Sequence, residues 1–169
     1  MNYKIVTSGA SKEVTLAEIS QNLRVYSEIY SISDREIYLG PISHKTLVLF
    51  ATEFADYALQ NYAKKIIPEA EACIRLTRKW LEDRDSVSDE ELKAAAYAAA
   101  VYAAHAYAAD AANAASAYAT AYAADAAYAV AYAAAYAAHA AGVDKDKELI
   151  RQGTFILDFL KSGKHLFLV

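Results

Sequence analysis

The stretch from Lys93 to Gly142 constrains this chain more than any other. Almost every position in it is Ala or Tyr, interrupted by Val101, His105, Asp110, Asn113, Ser116, Thr120, Asp125, Val130 and His139. No Lys or Arg occurs from Ala94 to Ala141, although both are frequent on either side. Ala has the highest helix propensity, so such a stretch becomes helical with little tertiary help. Its small side chain also lets two helices approach to roughly 8 Å between axes. The expectation is therefore of closely packed helices with Tyr rings filling the gaps.

A straight helix over the whole block would run roughly 70 Å at the standard rise. A compact domain of this length is only about 40 Å across. The weakest place is Asp110-Ala-Ala-Asn113-Ala-Ala-Ser116, where residues that favour helix starts recur without a large side chain. A break near Asn113 is expected there, giving helices over Ser88–Asp110 and Asn113–Ala141. Gly142 suits the left-handed residue that ends a helix.

The remaining helices follow from spacing and capping. Thr15 with Glu18 forms a capping box. Leu16, Ile19, Leu23, Tyr26 and Tyr30 then predict a helix from about Thr15 to Tyr30, with a strand over Tyr26–Ile32 as the alternative. Ser33-Asp34-Arg35 and Gly40-Pro41 bound an expected loop with a short turn at Glu36–Leu39. Ser43 is placed to cap a helix whose stripe is Leu47, Phe50, Phe54, Tyr57, Ala58 and Tyr62, ending near Ile66 and Ile67. Pro68 suits the first turn of the next helix, which carries Cys73, Leu76, Trp80 and Leu81 to Glu82. A polar linker leads to a second capping box, Ser88 with Glu91. Asp144 or Asp146 caps a last helix that ends near Gly163, with Gly153 as a place for a kink. Asn2–Thr7 reads as a short strand or extended arm. The fold class expected is all-α: a compact bundle of five to six helices in one domain, residues 1–169.

Composition bounds the function. The chain has 169 residues and a net charge of −4, without the basic face typical of nucleic-acid binders. Cys73 is the sole cysteine, which rules out an intramolecular disulfide. The N-terminus lacks a basic segment followed by a long apolar run, so no signal peptide is expected. The Ala block is long enough to cross a membrane but contains Asp110, Asn113 and Asp125, and it is poor in the residues that drive insertion. A cytoplasmic protein with neither membrane nor nucleic-acid partner is expected. No GxGxxG, P-loop, zinc-finger or EF-hand pattern occurs, and no cofactor is expected.

His105, Asp110, Asp125 and His139 are the sharpest chemical candidates because they interrupt an uncharged block. Their spacing does not match a compact ligand pair such as HExxH, so no metal or catalytic site is assigned. Buried polar groups satisfied by Tyr hydroxyls explain the same residues. The Tyr ladder has two readings, as core and as a rigid aromatic binding face. The candidate binding face is Tyr118, Tyr122, Asp125, Tyr132, Tyr136 and His139.

The order of these signals resembles the alanine-rich immunity proteins of the immunity-protein-five-like group, assigned to bacterial polymorphic-toxin neighbourhoods and found also in phage genomes. The matching segments are Leu47-Val-Leu-Phe-Ala-Thr-Glu-Phe-Ala-Asp56, the proline-led helix closing on Lys79-Trp-Leu-Glu82, the acidic start Ser86-Val-Ser-Asp-Glu-Glu91, the Ala-rich block, and Lys147-Glu-Leu-Ile-Arg151. They make residues 43–161 a family-like core and residues 1–42 an N-terminal extension. This chain lacks the Arg frequent within the family's Ala block, and no functional residue is carried over. The resemblance implies a non-enzymatic helical module that binds a protein, a toxin or other effector, as an immunity or anti-defence protein. The competing expectation is a small enzyme or ligand-binding protein using Tyr, His and Asp in a pocket between helices. A self-associating protein, pairing its Ala/Tyr face with a second copy as a homo-oligomer, is the third.

Overall fold

The computed structural model describes residues 2–7, 10–19, 28–33, 36–40, 43–62, 68–88, 90–92, 94–95, 139 and 142–162. These residues are mostly helical, with a small sheet at the start of the chain. The sheet corrects the all-α expectation. Strands β1 (Asn2–Thr7) and β2 (Ala10–Thr15) form an antiparallel hairpin, as do β3 (Glu28–Ser33) and β4 (Glu36–Gly40). The spatial order is β2-β1-β4-β3. Its centre is a parallel pairing of β1 with β4 that sets Lys4, Ile5 and Val6 against Glu36, Ile37 and Tyr38. An ion pair of 3.1 Å between Lys4 and Glu36 lies on this seam.

Each hairpin closes over a two-residue connection, Thr7 facing Ala10 and Ser33 facing Glu36. Such short loops fix the register of the flanking strands. The β3–β4 register shifts between Ile29 and Ser31, which makes Tyr30 a bulged residue.

Two expectations fail here. A continuous helix over Thr15–Tyr30 does not form: Leu16–Glu18 is a three-residue 3-10 turn, and Glu28–Tyr30 belongs to strand β3. The capping box itself forms: the Glu18 carboxylate accepts from the Thr15 N–H at 2.7 Å and the Thr15 hydroxyl at 2.8 Å. These bonds, the backbone one first, lower the Glu18 pKa. The local start signal makes its bonds, but pairing with β4 decides the conformation at Glu28–Tyr30. The alternative strand reading is right for residues 28–32. The turn expected at Glu36–Leu39 is strand β4 for the same reason.

Helix α1 (His44–Tyr62) starts where Ser43 accepts the Thr46 N–H at 3.1 Å. Helix α2 (Pro68–Glu82) has the expected bounds, with Pro68 supplying a fixed φ where no N–H partner is needed. A 3-10 turn at Arg84–Ser86 follows, and helical backbone resumes at residues 90–92. The Ser88 box is complete: Glu91 accepts from the Ser88 N–H at 2.9 Å and hydroxyl at 3.0 Å, and returns its own N–H to Ser88 Oγ at 3.2 Å. Those bonds also lower the Glu91 pKa. Gly142 has φ of 82° and donates its N–H to the His139 carbonyl at 3.0 Å, as a helix-ending residue does. Asp144 then caps helix α3 (Lys145–Lys161) through the Asp146 N–H at 3.0 Å. The break near Asn113, the helices on either side of it and the number of helices in the bundle lie outside the described residues.

Helix α1 is central. Phe50, Phe54, Ala51, Ala55 and Leu59 are fully buried against Val14 and Ile19 from the sheet region, Ala70 and Ile74 of α2, and Ile156, Leu157 and Leu160 of α3. Four Phe rings, Phe50, Phe54, Phe155 and Phe159, meet edge-on across α1 and α3 at centroid distances of 5.4 to 6.1 Å. This is a favoured aromatic geometry. A smaller cluster of Val48, Trp80, Leu81 and Val87 occupies the other flank of α1.

Gly153 does not kink α3. A Cβ built there would lie 2.1 Å from the Leu16 carbonyl oxygen, so the missing side chain lets the 3-10 turn seat against the helix.

Candidate functional site

A dense polar cluster lies where the end of α1 meets the start of α3. Glu148 sits in the first turn of α3, where the helix dipole favours a carboxylate. Its side chain is fully buried. Arg151 grips it with Nε at 2.8 Å from Oε2 and Nη2 at 2.7 Å from Oε1. Gln152 Nε2 donates to Oε1 at 3.0 Å, and the Tyr62 hydroxyl donates to Oε2 at 2.7 Å across 86 residues of chain. The Arg151 guanidinium also lies over the Tyr57 ring at 3.6 Å, and the Tyr57 ring meets Tyr62 edge-on at 5.8 Å.

The electrostatics follow from this packing. Burial, then the hydrogen bond to Glu148, pushes the Tyr62 pKa well above the ordinary 10.0. The phenol therefore stays protonated and keeps donating at any physiological pH. A carboxylate offers about four lone-pair sites, and each oxygen of Glu148 already accepts two donors. Nothing is left to accept a substrate proton. The cluster is a buried cross-link between distant helices, built on a carboxylate whose acceptor sites are filled.

Sequence reasoning placed Tyr62 on the α1 stripe but passed over Glu148. A signal existed: Glu148 and Gln152 stand at four-residue steps from Ile156 and Leu160, so two polar residues continue an apolar stripe. The run Glu148-Leu-Ile-Arg151 supplies the neutralising partner within one turn.

A second charged cluster is more open. Arg78 of α2 reaches Glu53 at 3.0 Å and Asp56 at 2.7 Å on α1, tying the two helices at their surface. Past this tie opens a groove of about 670 Å³ lined by side chains of α1 and α2.

Of the residues singled out from the sequence, His139 is exposed on helical backbone just before Gly142. Tyr118, Tyr122, Asp125, Tyr132 and Tyr136 lie outside the described residues, as do His105 and Asp110. Among the described residues, no group of His, Cys, Asp and Glu is arranged to hold a metal, and no helix is long and apolar enough to cross a membrane. Cys73 is a buried free thiol on α2. No family model, curated protein or solved structure matches this chain.

Proposed function

We propose that this chain is a non-enzymatic helical module that binds a protein partner, of the toxin-neutralising or anti-defence kind. The observation that carries the reading is how its described charges are used. The buried carboxylate, Glu148, has every acceptor position filled by the protein's own donors. A helical scaffold whose buried carboxylate is fully engaged and whose exterior is charged suits recognition by surface.

The segments that carry the sequence resemblance support the same reading. Leu47–Asp56 lies in α1, the proline-led segment is α2, Ser86–Glu91 carries the second capping box, and Lys147–Arg151 opens α3. These segments build the helical scaffold, and α1 and α3 carry the aromatic core. The finer bundle reading, five to six helices with Ala/Tyr-rich central members broken near Asn113, belongs to the same proposal. A net charge of −4 suits a partner with a basic surface and speeds encounter with it.

The test is co-expression with the product of the adjacent gene. The reading expects growth to be rescued from that product's toxicity, and the two purified chains to form a stable complex in calorimetry. Absence of both rescue and complex overturns it.

A further inference from the structure

The α1–α2 groove contains a charge row with an unusual order. Glu71, Arg75, Lys79 and Glu82 follow one another on α2 at intervals of four, four and three residues, and all four are exposed. All four line the groove. Residues three and four apart on a helix are neighbours, and oppositely charged ones commonly pair. Here neither Glu71 with Arg75 nor Lys79 with Glu82 forms an ion pair. The groove's other guanidinium, Arg78, is engaged by Glu53 and Asp56 and so walls the groove without offering a free charge. Lys79 makes a longer-range attraction to Glu91. Beside the row, Ile74 and the half-buried Leu76 supply apolar surface.

We infer that this groove receives a helix of a different protein, one presenting basic, acidic, acidic and basic side chains in that order over about three turns. The row spans about 17 Å at the helical rise, the length of such a segment. A helix laid in a groove between two helices is a recurrent recognition mode. Charge order selects the occupant. A second copy aligned antiparallel on the row would set Glu71 against Glu82 and Arg75 against Lys79. Aligned parallel, it would set each residue against itself. Both arrangements oppose like charges, so the row disfavours self-pairing and favours a complementary sequence. This inference rests on the protein-binding reading and names its surface.

The test uses two synthetic alanine-based helical peptides of about 18 residues, long enough to hold helix. One carries Lys, Glu, Glu and Lys at the spacing of the row, and the other carries the reversed signs. Both place Leu on the adjoining stripe. Fluorescence anisotropy at low salt is expected to show the first peptide binding the full chain about tenfold tighter or more, an advantage that shrinks in high salt. The double variant R75E/K79E makes the row uniformly acidic and should abolish the preference, and E71K/R75E/K79E/E82K, which reverses every sign, should invert it. Circular dichroism confirms that each variant keeps its helices. The variant K147E/K161E changes net charge equally on exposed positions of α3 and should leave the preference in place. Equal binding of both peptides, binding of neither, or an unchanged preference in the folded Arg75/Lys79 variants overturns the groove. Peptide discrimination without rescue by the adjacent product would keep the groove and remove the toxin-neutralising reading. Rescue without discrimination would do the reverse.

Discussion

On one flank of α1, Phe50 and Phe54 meet Phe155 and Phe159 of α3, and the buried Glu148 ties Tyr62 to Arg151 and Gln152. On the other flank, Val48 packs on Trp80, Leu81 and Val87, and the polar ties from Arg78 lie at the surface. The first flank joins residues far apart in sequence and buries a charge to do so. The second joins consecutive helices with ordinary apolar contacts and exposed ion pairs. The difference teaches where cooperativity resides: breaking the α3 flank should expose uncompensated polar groups, whereas loosening the α2 flank leaves its charges in water.

The largest expected effect follows from Glu148. Glu148→Ala leaves the Arg151 guanidinium, the Tyr62 hydroxyl and the Gln152 amide without their common acceptor. Removing one partner of a buried pair costs about 3–5 kcal/mol. Urea unfolding should show that loss, and Glu148→Gln, which keeps an acceptor oxygen, should lose less. A cost below about 1 kcal/mol would mean that the cluster is no cross-link.

Gly153→Ala is the next largest and sharpens the contrast by its sign. In an exposed helix interior the change should stabilise by about 1 kcal/mol. Here the new methyl meets the Leu16 carbonyl, and overpacking should destabilise by about 1–3 kcal/mol. A raised thermal midpoint would show that the 3-10 turn does not seat against α3.

Tyr62→Phe removes one hydrogen bond to a buried charge and should cost about 1.5 kcal/mol at neutral pH. It carries a pH signature as well. The Tyr62 pKa is raised in the folded protein, so the stability it contributes is fully present below the unfolded value near 10 and is lost as pH rises above it. Urea midpoints measured from pH 9 upward should fall less steeply in the Phe variant than in the parent. Parallel slopes would separate Tyr62 from the alkaline transition.

The same contrast explains what could be read from the sequence. Ser43, Ser88, Gly142 and Asp144 mark helix ends through bonds made within a few residues and Pro68 through its fixed φ, and each stands where its chemistry predicts. Thr15 and Glu18 also make their local bonds, yet the helix they announce is three residues long. What overrides it is strand pairing: β3 folds back on β4 as a hairpin, and β4 joins the distant β1. Tyr26 and Tyr30 fit both periods, and nothing local distinguishes them. The Glu148 cluster was half legible. Glu148 and Gln152 on an apolar stripe announce a buried polar pair, but their partner Tyr62 belongs to another helix, and no spacing rule connects the two. The Tyr118–Tyr136 face and His105 lie outside the described residues.

Arg78→Ala is the smallest expected effect and the direct probe of the second flank. Arg78 shares one guanidinium nitrogen between Glu53 and Asp56, a geometry that looks strong on distance alone. Its side chain is 42% exposed, against 33% and 24% for the two acids. In that setting water and salt weaken the attraction, and ordering long side chains offsets part of what remains. The expected loss is about 0.5 kcal/mol at low salt, shrinking toward zero as ionic strength approaches about 1 M. The Glu53 and Asp56 carboxylates then lose their shared partner, and the apolar contacts of Val48 with Trp80 and Leu81 should hold the two helices together. A loss above about 2 kcal/mol that persists in high salt would show Arg78 acting as Arg151 does, through desolvated contacts. The two flanks would then be built alike, and the groove beside Arg78 would be a stiffer surface than its exposure implies.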